Sequence, residues 1–156
     1  MSISIIFNDI TKLYVDAIVN AANTDLARGS GVCGAIFNAA GARKLQAACD
    51  KLAPIKTGEA VITPGFNLPA KYVIHAAGPV YRHWSAEQNE QLLRAAYTNS
   101  LRLAVENQCK SIAFPLISSG AYGYPKEDAL RVAGAAIQDF VSSHDIDVTL
   151  VLFEKG

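Results

Sequence analysis

Cysteine is scarce in this chain, and the few cysteines present argue against two kinds of structure. Cys33, Cys49 and Cys109 include no C-x-x-C pair and have no histidine at ligand spacing, which argues against a zinc site. Their odd number also argues against the disulfide framework of a small secreted domain. The histidines are scattered as well, and His75 lies inside the apolar run KYVIHAAG. We expect His75 to be a structural residue of the core, and we expect the chain to bind no metal and no cofactor.

Net charge is absent too, because 14 Lys and Arg residues balance 14 Asp and Glu residues. A neutral chain has no overall electrostatic attraction for duplex nucleic acid or for an anionic membrane surface. No apolar run approaches the roughly 20 residues that span a bilayer. The first ten residues, MSISIIFNDI, lack the charged start and the cleavage site of a signal peptide. We therefore expect a cytoplasmic protein with no membrane partner and no specific duplex nucleic-acid partner.

The chain does contain regular alternation of short β-rich runs and helical patterns over its 156 residues. The predicted strands are 4–7, 17–20, 59–63, 72–76, 111–116 and 147–153, and the predicted helices are 32–40, 43–52, 86–107 and 126–142. Nearly continuous apolar strands separated by helices are typical of a mostly parallel sheet covered on both faces. The sequence therefore predicts a single α/β domain over 1–156, folded as a three-layer α/β/α sandwich.

Two glycine-rich loops stand where such a sheet binds ligands, at the carboxyl ends of its strands. The first, NTDLARGSG (23–31), follows the second predicted strand, and the second, ISSGAYGYP (117–125), follows the fifth. Each loop leads into a predicted helix, and Pro125 suits the first turn of the second of these helices. Two such loops in one crevice would direct many backbone N–H groups at one anion. A diphosphate is the anion that this arrangement suits.

The first loop also contains a G-x-G-x-x-G sequence at 29–34, which is the fingerprint of dinucleotide-binding Rossmann domains. In those domains the motif lies in the tight turn directly after the first strand, and an acidic residue follows about 20 residues later. Here residues 21–28 separate the strand from the first glycine, and Asp50 falls in a helical stretch. The glycines remain candidates for phosphate contact, but the Rossmann interpretation is weak.

Five motifs in one order resemble the macro domain family over nearly the whole chain. They are NDIT (8–11), VNAAN (19–23), GSGVCGAIFNAAG (29–41), VIHAAGP (73–79) and ISSGAYGYP (117–125). The resemblance implies a macro domain-like, mixed and mostly parallel sheet of about six strands that binds ADP-ribose or ADP-ribosylated proteins.

The resemblance also implies a task for individual residues. Asp9 and the N–H of Ile10 would read the adenine, and Phe153 would stack on it. Asn23 would hydrogen-bond the distal ribose, along which Tyr122 would pack. The remaining implied contacts, mostly main-chain N–H groups around the diphosphate, are Gly31, Val32, Cys33, Ser118, Ser119, Gly120, Ala121 and Tyr122.

Each assignment has a purely structural alternative. Asp9 could cap the turn at NDIT, as Asp commonly does, and Phe153 could belong to the core. For Asn20 we predict a structural role only, in which its side chain holds the following loop through backbone hydrogen bonds.

The resemblance leaves catalysis open, because Cys33 stands where one hydrolytic subgroup carries an aspartate that activates water. Other members lack that acid and still hydrolyse, with the substrate phosphate as a plausible base. The catalytic candidates are therefore Asn23 and Gly31, with Cys33 at the position of the missing acid. We expect a slow ADP-ribosyl or O-acetyl-ADP-ribose hydrolase; the alternatives are a non-catalytic ADP-ribose reader and an NAD-dependent oxidoreductase. The chain also stops where the family usually continues into another helix, so it could be a module excised from a longer protein.

Overall fold

The computed structural model describes residues 2–152, in which six strands and four helices alternate. The strands are β1 (Ser2–Phe7), β2 (Ala17–Ala22), β3 (Ala60–Pro64), β4 (Tyr72–Ala77), β5 (Ser111–Pro115) and β6 (Asp147–Leu152). The helices are α1 (Gly31–Ala40), α2 (Ala42–Asp50), α3 (Ala86–Glu106) and α4 (Lys126–Val141). Every predicted element is present, and most boundaries lie within two residues of the prediction. Phe153, the last residue of the sixth predicted strand, lies outside the described residues.

The strands form one sheet in the order β1-β6-β5-β2-β4-β3. All neighbouring pairs are parallel except β3 and β4, which are antiparallel. Helices cover both faces, so the predicted three-layer α/β/α sandwich with a mixed, mostly parallel sheet of six strands is confirmed.

Each face of the sheet has its own hydrophobic core. One core joins α3 and α4 to the sheet and includes the fully buried Leu93, Tyr97 and Phe114. The other joins α1 and α2 to the opposite face, with Phe37 and Leu45 among its buried residues. The chain therefore leaves β2 toward one face and leaves β5 toward the other. Two adjacent parallel strands whose connections diverge in this way create a crevice at their carboxyl ends.

The pairing of β2 with β5 shows where this crevice opens. Ala17 lies beside Ile112, and Ile18 lies beside Ala113. Beyond those pairs β2 continues along β4 as far as Ala22, and β5 continues along β6 as far as Pro115. The two strands thus separate before the loops that follow them begin.

Two local predictions need correction. β2 extends to Ala22, so Asn20 lies inside the strand rather than at its end. Pro125 is the N-cap of α4 with an extended backbone (φ −58°, ψ 133°), and the helix itself begins at Lys126. Within residues 2–152, no helix has both the length and the apolarity to cross a membrane.

Tyr97 connects α3 to the start of the second glycine-rich loop. Its hydroxyl donates to the Pro115 carbonyl (3.2 Å) and accepts from the Ile117 N–H (3.0 Å). Tyr97→Phe would leave both buried groups without a partner, so we expect the free energy of unfolding to fall by about 1–3 kcal/mol. Urea denaturation measures this change. The control is Tyr14→Phe, because Tyr14 is 89% exposed, and equal stabilities of the two variants would contradict the assigned role of Tyr97.

Candidate functional site

A small pocket lies at one end of the crevice. Its lining consists of Asn8, Asp9, Ile10, Val32, Ala35, Pro115 and Val151. The structure thus brings Asp9 and Ile10, the residues predicted to read adenine, next to the start of α1. Phe153, the predicted stacking residue, lies outside the described residues, and Val151 of β6 lines the pocket.

Asp9 performs the structural task that was considered as an alternative. Its Oδ1 atom accepts hydrogen bonds from the Thr11 N–H (3.0 Å) and the Thr11 hydroxyl (2.7 Å), and so caps a 3₁₀ turn over Ile10–Lys12. The Oδ2 atom of Asp9 and the N–H of Ile10 form no hydrogen bond with the rest of the described chain. The cap therefore fixes the carboxylate and leaves one acceptor and one donor beside the pocket.

The first glycine-rich loop ends in an uncapped helix. Gly31 begins α1 with a φ of +60°, and the Ser30 side chain makes no capping bond. The N–H groups of Gly31, Val32 and Cys33 have no hydrogen-bond partner within residues 2–152, as is expected for the first turn of a helix. Gly34 is required for packing, because a Cβ atom there would lie 2.5 Å from the Gly29 carbonyl oxygen.

The second glycine-rich loop is closed by its own hydrogen bonds. The Tyr124 N–H donates to the Ser118 carbonyl (2.9 Å), and the Gly123 N–H donates to the Gly120 carbonyl (3.0 Å). Between them, the N–H groups of Gly120, Ala121 and Tyr122 have no partner among the residues described. Gly120 and Ala121 are exposed, and Tyr122 is half-buried. The loop therefore presents a run of free donors at the end of β5.

Tyr122 links the two loops electrostatically. Partial burial raises the pKa of its phenol, and the nearby Cys33 and Asp25 side chains raise it further. Cys33 and Asp25 belong to the β2 side of the crevice and Tyr122 to the β5 side. Because β2 and β5 are adjacent and parallel, the loops that follow them lie at the same edge of the sheet, on either side of the point where the two strands separate.

The role expected for Asn20 needs correction, and Asn23 makes a structural contact that was not predicted. Asn23, not Asn20, holds the loop: its Oδ1 accepts from the Ala27 N–H (3.0 Å) and its Nδ2 donates to the Ala27 carbonyl (2.9 Å). Each of these atoms can form one further hydrogen bond, so Asn23 retains polar capacity for a ligand. Asn20 is 1% exposed and donates to His75 Nδ1 (3.1 Å) instead of to backbone groups.

His75 is confirmed as a buried core residue. It is fully buried, and its Nε2 atom lies 3.0 Å from the Thr63 hydroxyl. The loss of hydration on burial lowers the pKa of the imidazole from 6.5 to about 4. Cys49 lies 3.7 Å from the same nitrogen, and burial raises the pKa of its thiol to about 11. The ring and the thiol are therefore neutral at pH 7.

Cys33 is turned away from solvent. It is 7% exposed, its sulfur lies 3.7 Å from the Ala27 carbonyl, and it lies 3.7 Å from Asn20 Nδ2. Two cysteines and a histidine thus lie in one region, but within residues 2–152 no group of three or more His, Cys, Asp or Glu side chains could hold a metal ion.

Several residues of the crevice were not predicted from the sequence. Ala35, Pro115 and Val151 line the pocket through their positions on α1, β5 and β6. Finding the last two requires the order of the strands in the sheet. The role of the Ala27 backbone could not be predicted from its residue type, because any residue supplies the same N–H and carbonyl groups. Its spacing of four residues from Asn23 is compatible with the observed loop contact.

Comparisons with known proteins agree with this geometry. The Macro domain family model matches residues 19–133. The O-acetyl-ADP-ribose deacetylase of Escherichia coli K12 is 50% identical over 147 residues, which cover 91% of this chain and 81% of that protein. The ADP-ribose glycohydrolase MACROD2 of Xenopus laevis is 48% identical over 145 residues, which cover 93% of this chain but 34% of that protein.

The fold comparison gives the same result. A solved structure of an Oceanobacillus iheyensis macrodomain variant with ADPR superposes with a TM-score of 0.92 at 40% identity, covering 97% of this chain and 84% of that one. The chain belongs to the macro domain family.

The buried histidine predicts how stability depends on pH. The unfolded imidazole binds a proton with a pKa near 6.5, whereas the folded one binds it near 4. Between these values the unfolded state holds more protons, so the free energy of unfolding falls as the pH drops, by roughly 3 kcal/mol in total. Denaturation curves of wild type and His75→Gln, taken from pH 7 to 4, give the free energy of unfolding at each pH. The contribution of His75 is the difference between the two proteins in the slope of that free energy against pH. His83→Gln is the exposed control, and a slope that His75→Gln leaves unchanged would contradict the prediction.

Proposed function

We propose that the crevice binds ADP-ribose, free or attached to protein, and that residues 1–156 act as a single macro domain. The observation that supports this most directly is the pair of neighbouring loops with unpartnered main-chain donors. Three such N–H groups lie at the start of α1, and three lie between Gly120 and Tyr122. A diphosphate needs several donors at once, and fixed amides supply them without reorganisation.

The proposal assigns the ends of the ligand to different parts of the crevice. Adenine lies in the pocket beside Asp9, where Oδ2 accepts from the exocyclic amine and the Ile10 N–H serves a ring nitrogen. The distal ribose lies between Asn23 and Tyr122. The stacking role of Phe153 and a phosphate contact of Ser118 or Ser119 remain parts of this proposal. The ADPR-containing structure and the names of the two relatives support this ligand class.

Hydrolysis is the second part of the proposal. Cleavage at the distal anomeric carbon develops positive charge on the ribose, and the adjacent diphosphate stabilises that charge. Glycosidic cleavage usually requires two carboxylates, whereas the loop position next to Gly31 and Val32 carries Cys33. We therefore assign the base to the substrate phosphate and the orientation of the ribose to Asn23 and the Gly31 loop. Turnover on ADP-ribosyl acidic side chains or O-acetyl-ADP-ribose is then slow.

A non-catalytic reader is the second candidate, and the orientation of Cys33 favours it. The thiol is directed at the Ala27 carbonyl and Asn20 instead of the open crevice. In this position it supplies neither a base nor a nucleophile to a bound ribose. An NAD-dependent oxidoreductase remains the third possibility, tested by hydride transfer from NADH.

The first expected result concerns ligand choice. Calorimetric titration gives much tighter binding of ADP-ribose than of AMP or NAD, because AMP lacks the diphosphate and the distal ribose, and NAD carries a bulky nicotinamide on the distal anomeric carbon beside Asn23. Asp9→Ala weakens ADP-ribose binding about ten-fold or more through loss of a charged acceptor. Asp139→Ala, on the outer surface of α4, is the matched carboxylate control. Equal affinity for all three ligands would remove the proposed site.

A release assay on a mono-ADP-ribosylated protein separates hydrolase from reader. We expect slow release by wild type and a loss of turnover in Asn23→Ala beyond its loss of binding, because Asn23 orients the reacting ribose. If wild type is inert and Cys33→Asp is active, the protein is a reader. If Asn23→Ala binds poorly but turns over at the normal rate, the role assigned to Asn23 is wrong.

A further inference from the structure

A continuous set of polar contacts runs from the far edge of the sheet to the loop after β2. It begins at Thr63 on β3, passes through His75 on β4 and Asn20 on β2, and reaches Cys33 on α1. All four side chains are at least nine-tenths buried. The contacts end at the Ala27 carbonyl, 3.7 Å from the Cys33 sulfur.

One assignment of protons satisfies every contact in this set. The Thr63 hydroxyl donates to the Pro64 carbonyl (3.1 Å) and so accepts from Nε2–H of His75. His75 Nδ1 then carries a lone pair and accepts from Asn20 Nδ2. The second hydrogen of Nδ2 points to the Cys33 sulfur, which leaves the thiol proton for Ala27. Donation therefore runs outward from Asn20, through His75 to Thr63 on one side and through Cys33 to the Ala27 carbonyl on the other.

The Ala27 carbonyl is the point where this set meets the proposed ribose site. It accepts from both Cys33 and Asn23, so the thiol and the Asn23 carboxamide hold the same peptide group. The loop also contains Leu26 in the left-handed region (φ 54°), a strained conformation for a residue that is not glycine. The Gln46 side chain donates to the Leu26 carbonyl (3.0 Å). Such a loop keeps its shape only while its anchors hold it.

We propose that Cys33 is a positioning residue, neither base nor nucleophile: its thiol, aligned by Asn20 and His75, fixes the Ala27 peptide and so places Asn23 for the distal ribose. This inference rests on the proposed function. It also explains why a neutral side chain suits the site. A residue at this position must both accept from Asn20 and donate to Ala27, which a neutral thiol or hydroxyl does and a carboxylate cannot do.

The proposal predicts different behaviour for two small substitutions. Cys33→Ala removes the donor and the acceptor together, so the Asn23 loop loses one anchor. Cys33→Ser retains one donor and one acceptor on a shorter side chain and should restore most of the loss. Cys49→Ala is the matched control, because the Cys49 thiol contacts His75 from α2 and is not one of the two side chains that donate to the Ala27 carbonyl.

Comparison of two ligands separates positioning from a general loss of structure. ADP lacks the distal ribose and should bind wild type and Cys33→Ala equally. ADP-ribose should bind Cys33→Ala about three- to ten-fold more weakly, the range expected for one lost hydrogen bond. Calorimetry supplies both affinities, and thermal denaturation reports stability separately. Cys49→Ala should lower stability without changing the ratio of the two affinities.

The outcomes distinguish this inference from the proposed function. If wild type binds neither ADP nor ADP-ribose, the proposed function fails. If wild type binds both and Cys33→Ala changes the two affinities by the same factor or not at all, the positioning role is wrong. Failure of Cys33→Ser to recover ADP-ribose binding, while its stability matches wild type, would also overturn it.

Discussion

The separation of β2 from β5 is the constraint on which the other features of the site depend. The strands pair at their amino-terminal ends and then part, since the chain leaves β2 for one face of the sheet and β5 for the other. A helix therefore begins on each side of the gap. The free N–H groups of both connections lie at the same edge of the sheet for the same reason.

The two helical layers fix the loops beside the gap through different contacts. On the α3/α4 side, Tyr97 fixes the start of the second loop through hydrogen bonds to strand and loop backbone. On the α1/α2 side, a buried polar set anchored by His75 extends to the loop after β2. Buried polar contacts favour one geometry, because a shifted arrangement would leave groups besides the Asn20 Oδ1 atom unpaired. Both loops are therefore held in place by hydrogen bonds from buried side chains of the core.

The sequence predicted the architecture well and the site in part. Strand and helix patterns are local, so element positions and the parallel sheet followed from periodicity and from the glycine-rich breaks. The role of Asn20 was wrong because its partner, His75, is 55 residues away and belongs to another strand. The predicted end of β2 was two residues short, so Asn20 was expected at the start of a loop. Local sequence alone could not show that its side chain belongs to the interior of a strand. Pro115 and Val151 could be found only once the strand order was known.

The donors around the crevice belong to peptide groups, and this has a consequence for how the protein tolerates sequence change. Replacing Ala121 or Val32 alters a side chain but leaves the N–H where it was. The vulnerable positions are those that shape the backbone path, such as Gly34, where any Cβ would meet the Gly29 carbonyl. The loops should therefore tolerate many residue types, provided that each one preserves the backbone conformation. The positions of the N–H donors are then kept although the loop sequence changes.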